Sequence, residues 1–154
     1  MSTAFTVRDA RADDYDGWRP LWDGYNAFYE RSGPTAVSET MTRMTWGRFF
    51  DAYEPMHALV AEAEDRRLVG FVHFLYHRNT VMPGPICYLQ DLFTAADVRG
   101  QGVGRGLIEA VYARARAAGS SRVYWQTQET NATARRLYDQ VAQNSGFIVY
   151  RQDL

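Results

Sequence analysis

Four glycines stand at alternate positions in "DVRGQGVGRGLIEAVYARARAAG", at Gly100, Gly102, Gly104 and Gly106, just before a run with helical periodicity. Glycine at that density lets backbone N–H groups approach a ligand closely. The helix N-terminus that follows adds roughly half a positive charge, so the loop suits a phosphate or a similar anion. Two familiar phosphate loops do not fit the letters. Gly-x-Gly-x-x-Gly fails because Arg105 or Leu107 stands where the third glycine is needed. The Walker loop requires a lysine, and all 17 basic residues of this chain are Arg. The alternative to an anion site is a tight strand-to-helix turn that holds nothing.

Carboxylates and aromatics form the second set of candidates. Asp91, in "CYLQDLFT", is flanked by Leu89, Leu92 and Phe93 in a strand that should be largely buried, where an unpaired carboxylate is costly. It either binds a substrate ammonium or relays a proton, or it is a structural carboxylate held by a neighbouring strand or an Arg. Its neighbour Gln90 cannot take a proton, which leaves His73 and Glu129 as secondary candidates for a base. Tyr25, Tyr29, Glu30, Trp46, Asp51, Tyr53 and Glu54 make an aromatic and acidic collection suited to a cationic amine, or else are core rings and solvated helix faces. His57, His73 and His77 lie on separate strand candidates without metal-ligand spacing, so no metal is expected. Cys87 reads as a small buried strand residue, and no Gly-x-Ser-x-Gly elbow supports a serine hydrolase.

The elements that must position these groups follow from periodicity. "AFTV" reads as a short strand. Asp13 or Asp14 can cap a helix with Trp18, Leu21, Trp22, Tyr25 and Phe28 on one stripe, and Ser38 opens a second helix running to Phe50. Three strands are expected at 56–62, 67–77 and 86–94, the first two joined by a hairpin. A strand, glycine loop, helix, strand, helix, strand pattern follows. Its helix carries Leu107, Ile108, Val111, Tyr112 and Ala115 inward. The strand is "RVYWQT" at 122–127, the last helix bears Ala134, Leu137, Tyr138 and Val141, and "GFIVYR" closes the series as a strand. Such a unit implies a parallel strand pair with a right-handed crossover. The fold class is therefore a mixed α/β (α+β) sheet with helices on its faces, in one domain over 1–154.

Composition narrows the partners. The 154 residues carry a net charge of −1 with no long single-sign run, which argues against nucleic acid. A single cysteine, an N-terminus without signal-peptide features and no apolar run of membrane length lead to the expectation of a soluble, cytoplasmic protein with no membrane partner.

The segment "DVRGQGVGRGLI" resembles motif A of the GCN5-related N-acetyltransferases (GNAT), with Arg99, Gly102 and Gly104 on the Arg/Gln-x-x-Gly-x-Gly/Ala signature. The Asn131, Tyr138 and Gly146-Phe147 pattern downstream extends the resemblance over about the last seventy residues. It implies antiparallel N-terminal strands and a parallel pair splayed open at an acetyl-CoA site. The pyrophosphate of coenzyme A would rest on backbone amides of Arg99, Gly100, Gln101, Gly102, Val103, Gly104 and Arg105, and the pantetheine arm along Leu92, Phe93 and Thr94. Asn131 would contact that arm or merely cap its helix. A backbone N–H near Leu92 to Thr94 would meet the oxyanion, and Tyr138 would protonate the leaving thiolate, unless it is a core aromatic. Asp91 takes the place of the carboxylate in the Glu-Asp pair of some small-amine members, with Gln90 replacing the other. Tyr29, Glu30, Gln90 and Asp91 are the candidate acceptor contacts. "YNAFYE" and the last helix look most like the subgroup of the yeast Hpa2 and Hpa3 acetyltransferases. The implied activity is acetyl transfer to a primary amine of a polyamine, amino acid or similar small molecule, by direct attack in a ternary complex within a homodimer. Alternatives are a protein lysine or N-terminal acceptor, or a coenzyme A-binding sensor without catalysis.

Overall fold

The computed structural model describes residues 4–154. Its sheet contains β1 (Phe5–Asp9), β2 (Met56–Ala63), β3 (Leu68–His77), β4 (Ile86–Thr94) and β5 (Val123–Tyr124) in sequence order across the sheet. The first four pair antiparallel, and β5 runs parallel to β4. The helices are α1 (Tyr15–Phe28), α2 (Glu39–Arg48), α3 (Val103–Ala117) and α4 (Ala132–Val141). None is long and apolar enough to cross a membrane. The expected mixed sheet with a crossover helix between parallel strands is what the chain forms.

Side chains alternate across a strand, so each residue of β3 commits to one helix layer. Phe71 and His73 face α1, where the Trp18 ring lies 6.4 and 5.9 Å from theirs. On the opposite face a Cβ on Gly70 would meet Val103 and Leu107 of α3 at 3.1 Å. Helices therefore cover both faces, and β3 is buried along most of its length. The α1 stripe is a ladder of rings. Trp18 stacks on Trp22 at 5.3 Å, Trp22 on Tyr25 at 5.7 Å, and Tyr25 meets Tyr29 edge-on at 5.1 Å. The start of α1 differs from expectation: the Asp14 carboxylate caps no turn of α1 but accepts from the Arg11 N–H and binds Arg8. It closes the short turn before α1 and ties it to β1.

The two C-terminal strands depart from the periodicity. Only Val123 and Tyr124 of "RVYWQT" pair with β4, opposite Cys87 and Tyr88. The expected strand "GFIVYR" is not a strand. Residues 142–154 carry no secondary structure, and Phe147, Ile148, Val149 and Tyr150 are 91%, 74%, 62% and 90% exposed. Alternation and β-branched residues supply strand propensity, but a strand exists only where another edge supplies its hydrogen bonds.

The four alternating glycines serve different ends. Gly100 and Gly102 have φ of +78° and +86°, which L side chains rarely adopt. Gly106 lies one turn inside α3, where a Cβ would come within 2.8 Å of the Phe5 ring of β1. It is a packing glycine and has no part in a ligand loop. Gly106→Val should therefore lower unfolding stability by about 1–3 kcal/mol through overpacking, read from the denaturant midpoint.

Candidate functional site

β3 and β4 lose register between His73 and Phe74: His73 faces Asp91, Phe74 faces Leu89, and Gln90 is left as the extra residue. Such a bulge bends its strand and redirects the side chains beyond it. β5 separates from β4 after Tyr88. Together these features leave the β4 backbone from Gln90 to Thr94 without a strand neighbour on its β5 side. Beyond Thr94 the chain makes a short turn at Ala96–Val98 and reaches the loop and the N-terminus of α3.

Three residues distant in sequence fix Asp91. Its Oδ1 accepts from the Tyr25 hydroxyl at 2.6 Å, and its Oδ2 lies 2.9 Å from His73 Nδ1. The other nitrogen of His73, Nε2, lies 3.1 Å from Trp18 Nε1. An indole N–H can only donate, so Nε2 accepts and the ring proton sits on Nδ1, where it donates to Asp91. His73 is 1% exposed with both nitrogens engaged, so it cannot act as a base on an acceptor; it holds Asp91 instead. The Asp91 side chain keeps 12% of its surface accessible. The structural reading of Asp91 therefore holds, and the carboxylate keeps an accessible side.

Tyrosines surround the open side. Burial pushes the Tyr25 and Tyr29 phenols up, and the Asp91 charge adds to both. Burial also raises Tyr88, with Tyr124, Asp91 and Tyr29 contributing. Tyr138 of α4 is pushed up to about 12, by burial first and by Tyr29 second. Tyr29 is the neighbour common to Tyr25, Tyr88 and Tyr138. The Tyr138 hydroxyl has no hydrogen-bond partner among the described residues, while its ring packs edge-on against Trp125 at 5.4 Å. A phenol that stays protonated and has no competing acceptor is fit to donate a proton.

The rest of the acidic and aromatic collection disperses. Trp46 is buried 4.7 Å from Trp18. Asp51 accepts from the Tyr53 N–H in a turn after α2, Tyr53 is exposed, and Glu54 lies near Arg48. Glu30 is exposed past the end of α1, and Glu129 is exposed before α4. Gln90, the bulge residue, is also exposed. Burial pushes the Cys87 thiol up to about 11, which leaves it inert.

The anion cradle lies at the other end of the opening. Gly102 is the N-cap of α3 in a left-handed conformation, and the Val103 side chain is buried, so the first turn offers backbone N–H groups. Positions Gly100 and Gly102 have nothing within 4 Å of where a Cβ would stand, so the outside of the loop is open. Arg99 donates to the Thr94 carbonyl at 3.2 Å and lies 5.5 Å over the Phe93 ring, fastening the loop to β4. Arg105 donates to the Gln140 side chain of α4. Asn131 Oδ1 accepts from the Ala134 N–H at 3.3 Å, so it does cap α4, and its Nδ2 has no partner among the described residues. This donor set, concave and backbone-rich at a positive helix end, fits a pyrophosphate.

One residue at the site went unnoticed in the sequence. Arg31 donates through Nε to Asn26 Oδ1, and its guanidinium carbon lies 5.5 Å from the Tyr25 ring centroid and 5.1 Å from that of Tyr29. Its neighbours "YERSG" carry no pattern that marks it, because its role depends on the chain turning back after α1.

Comparison with known proteins bears on this geometry. Residues 18–142 match the sequence model of the Acetyltransferase (GNAT) family. The chain is 33% identical over 154 residues to D-amino-acid N-acetyltransferase HPA3 of Saccharomyces cerevisiae, covering 99% of this chain and 93% of that one. It is 27% identical to the uncharacterized N-acetyltransferase YhfO of Bacillus subtilis, covering 94% of each. Among solved structures, aminoglycoside N-acetyltransferase AAC(6')-Iy in complex with CoA superposes with a TM-score of 0.82 at 15% identity, covering 99% of this chain and 97% of that one.

The Tyr138 phenol carries a consequence for stability. Its folded value of about 12 exceeds its ordinary value of 10.0, so the folded state holds this proton longer than the unfolded state does. The contribution is complete below pH about 10 and is lost as pH rises towards about 12. Denaturant midpoints followed across that interval should fall less steeply for Tyr138→Phe than for the wild type; parallel curves would place Tyr138 in an ordinary exposed setting.

Proposed function

The chain belongs to the acetyltransferase (GNAT) family and is an acetyl-CoA-dependent N-acetyltransferase, and from that premise we propose that its acceptor is the primary amine of a small molecule. The observation that carries this reading is Asp91, a carboxylate with part of its surface accessible, bonded to Tyr25 and close to Tyr29 and Tyr88. A single buried anion among aromatic rings suits one ammonium group, through ion pairing and cation–π contact. A protein lysine would more naturally meet a shallow acidic groove, and the acids that would have made one, Glu30, Asp51 and Glu54, do not converge on the site.

Acetyl-CoA supplies a thioester carbonyl to attack and a thiolate to leave. The amides of residues 99–105, at the positive end of α3, hold the pyrophosphate, and the unpaired β4 backbone from Gln90 to Thr94 lines the pantetheine arm. Asn131 Nδ2 reaches the same arm from α4. Asp91 anchors the acceptor as an ammonium. A free amine with pKa about 10.4 is almost wholly protonated at neutral pH, so the site must remove a proton before or during attack. As the carbon–nitrogen bond forms, the nitrogen becomes far more acidic, and Asp91 or a water beside it can then accept the proton. Tyr138, held protonated, gives its proton to the departing sulfur.

Arg31 favours an amino acid within the small-amine class. Nε is tied to Asn26, which leaves the terminal nitrogens free to meet a carboxylate beside the ring pair that also flanks Asp91. Ammonium at Asp91 and carboxylate at Arg31 would grip the two ends of a zwitterion. The expectation for the assembly is a homodimer.

Thiol release from acetyl-CoA, measured across amino acids, polyamines, aminoglycosides and a basic peptide, tests the reading. Amino acids should be turned over best and the peptide worst; preference for the peptide would overturn the small-acceptor assignment. Asp91→Asn should lower kcat/KM by about 10- to 100-fold, the worth of a hydrogen bond to a charged group, with coenzyme A affinity unchanged. Tyr138→Phe should lower kcat by about 100-fold or more while coenzyme A still binds. Arg31→Gln should raise KM for amino acids and leave KM for polyamines as it was.

A further inference from the structure

Asp91 and Tyr88 stand three residues apart in β4, a spacing that puts side chains on opposite faces of a regular strand. The bulge removes that separation. Because Gln90 is the extra residue, Asp91 opposes His73 and Tyr88 opposes Leu75, and His73 and Leu75 alternate onto one face of β3. Tyr88 therefore shares the α1 face of the sheet with Asp91. The electrostatics agree: burial raises the Tyr88 phenol first, and Tyr124, Asp91 and Tyr29 add to it.

The same row continues on both sides. Met56 of β2 opposes Leu75, and Tyr124 of β5 opposes Tyr88, so Met56, Leu75, Tyr88 and Tyr124 cross four strands in one line. In the neighbouring row of Ala58, His73 and Asp91, Ala58 and His73 are buried, with the Phe49 ring 4.4 Å from that of His73. The line beside it is not covered in this way: Met56, Leu75 and Tyr88 are half-buried, and Tyr124 is 38% exposed. The Tyr88 and Tyr124 rings lie 4.9 Å apart. His77 occupies the Tyr124 hydroxyl. Its Nδ1 lies 2.9 Å from the Arg78 carbonyl, which can only accept, so Nδ1 carries the proton and Nε2 accepts from the Tyr124 hydroxyl at 2.8 Å. Two rings, a leucine and a methionine therefore make a chiefly apolar strip. No carboxylate stands in it, and the residue after His77 is Arg78.

We infer that the strip of Leu75, Tyr88 and Tyr124 receives the side chain of the acceptor, and that the preferred acceptors are amino acids with an aromatic or large aliphatic side chain. The inference rests on the small-amine reading of Asp91 and narrows it. Continuity with that carboxylate is what names the occupant, because whatever ammonium pairs with Asp91 has this strip as its neighbour. Side chains two residues apart on one face of a strand lie about 7 Å from each other, and His73 and Leu75, the partners of Asp91 and Tyr88, have that spacing. A hydrogen or a methyl group does not cross such a gap. A ring or a branched chain does, and it then removes apolar surface of Leu75, Tyr88 and Tyr124 from water. A second ammonium, as in lysine or a polyamine, would give up hydration there without a counter-charge, beside a residue that is itself basic.

Four acceptors test the strip: ethylamine, phenethylamine, alanine and phenylalanine, which add the ring and the carboxylate one at a time. With kcat/KM read from thiol release, the ring should raise the value about tenfold or more in both pairs, and lysine should fall below phenylalanine. Tyr124→Ala should shrink the ring advantage by about fivefold. Tyr124→Glu, which adds a carboxylate to the strip, should raise lysine relative to phenylalanine. Each comparison is a ratio within one variant, so a lower yield of folded protein cancels. Turnover of all four amines without a ring advantage, or with one that both Tyr124 variants leave unchanged, would overturn the strip and leave the small-amine reading standing. No turnover of any of them while coenzyme A still binds would overturn that reading and this inference with it.

Discussion

The Asp91 carboxylate, placed near the centre of a sheet, is the constraint on which the rest depends. A buried carboxylate without partners is costly enough that the group would take up a proton or the strand would rearrange. Here two elements supply its donors: β3 gives the His73 Nδ1–H and α1 gives the Tyr25 hydroxyl, while Trp18 fixes the proton of His73 from the far side. The aromatic stripe of α1 is thus more than filler. Its ring ladder sets the height of α1 over the sheet, and that height puts Trp18 and Tyr25 within reach of the two strands. Core packing and site chemistry are one arrangement here.

The bulge at Gln90 sets that arrangement beside the opening of the candidate site. Without the extra residue β4 would keep register with β3, and the strand would pass through the sheet as an ordinary member. With it, Gln90 is left as the extra residue beside Asp91, and beyond Tyr88 the β4 backbone has no β5 partner. The same opening ends at the α3 N-terminus. One deviation in pairing therefore lines up three kinds of chemistry along a single path: an anion cradle, an unpaired backbone and a carboxylate among phenols.

Much of this was legible in the letters, for physical reasons that differ from case to case. Helical and strand periods are local, so α1, α3, β2, β3 and β4 could be read directly. The glycine loop was legible because positive φ at Gly100 and Gly102 restricts those positions to glycine, and motif resemblance pointed to coenzyme A. Asp91 and Tyr138 stood out by type and setting. Arg31 did not, because its place over the Tyr25 and Tyr29 rings depends on how the chain turns after α1; nor did the part played by Trp18 and His73, whose roles come from each other and from Asp91, on separate elements. Gly106 stands in the same alternating series as the loop glycines, because nothing local distinguishes a glycine kept for backbone freedom from one kept to admit the Phe5 ring.

The sequence by itself determined the elements with their own internal period, the anion-loving turn before α3 and membership of an acetyltransferase family. Tertiary structure alone decided which aromatics face Asp91, where β4 and β5 part, and whether "GFIVYR" becomes a strand. The reason is the nature of the bonds involved. A helix satisfies its backbone within its own residues, so its sequence nearly suffices to specify it. A strand and a buried charge are satisfied only by partners brought from elsewhere, and no stretch of sequence contains its own partner.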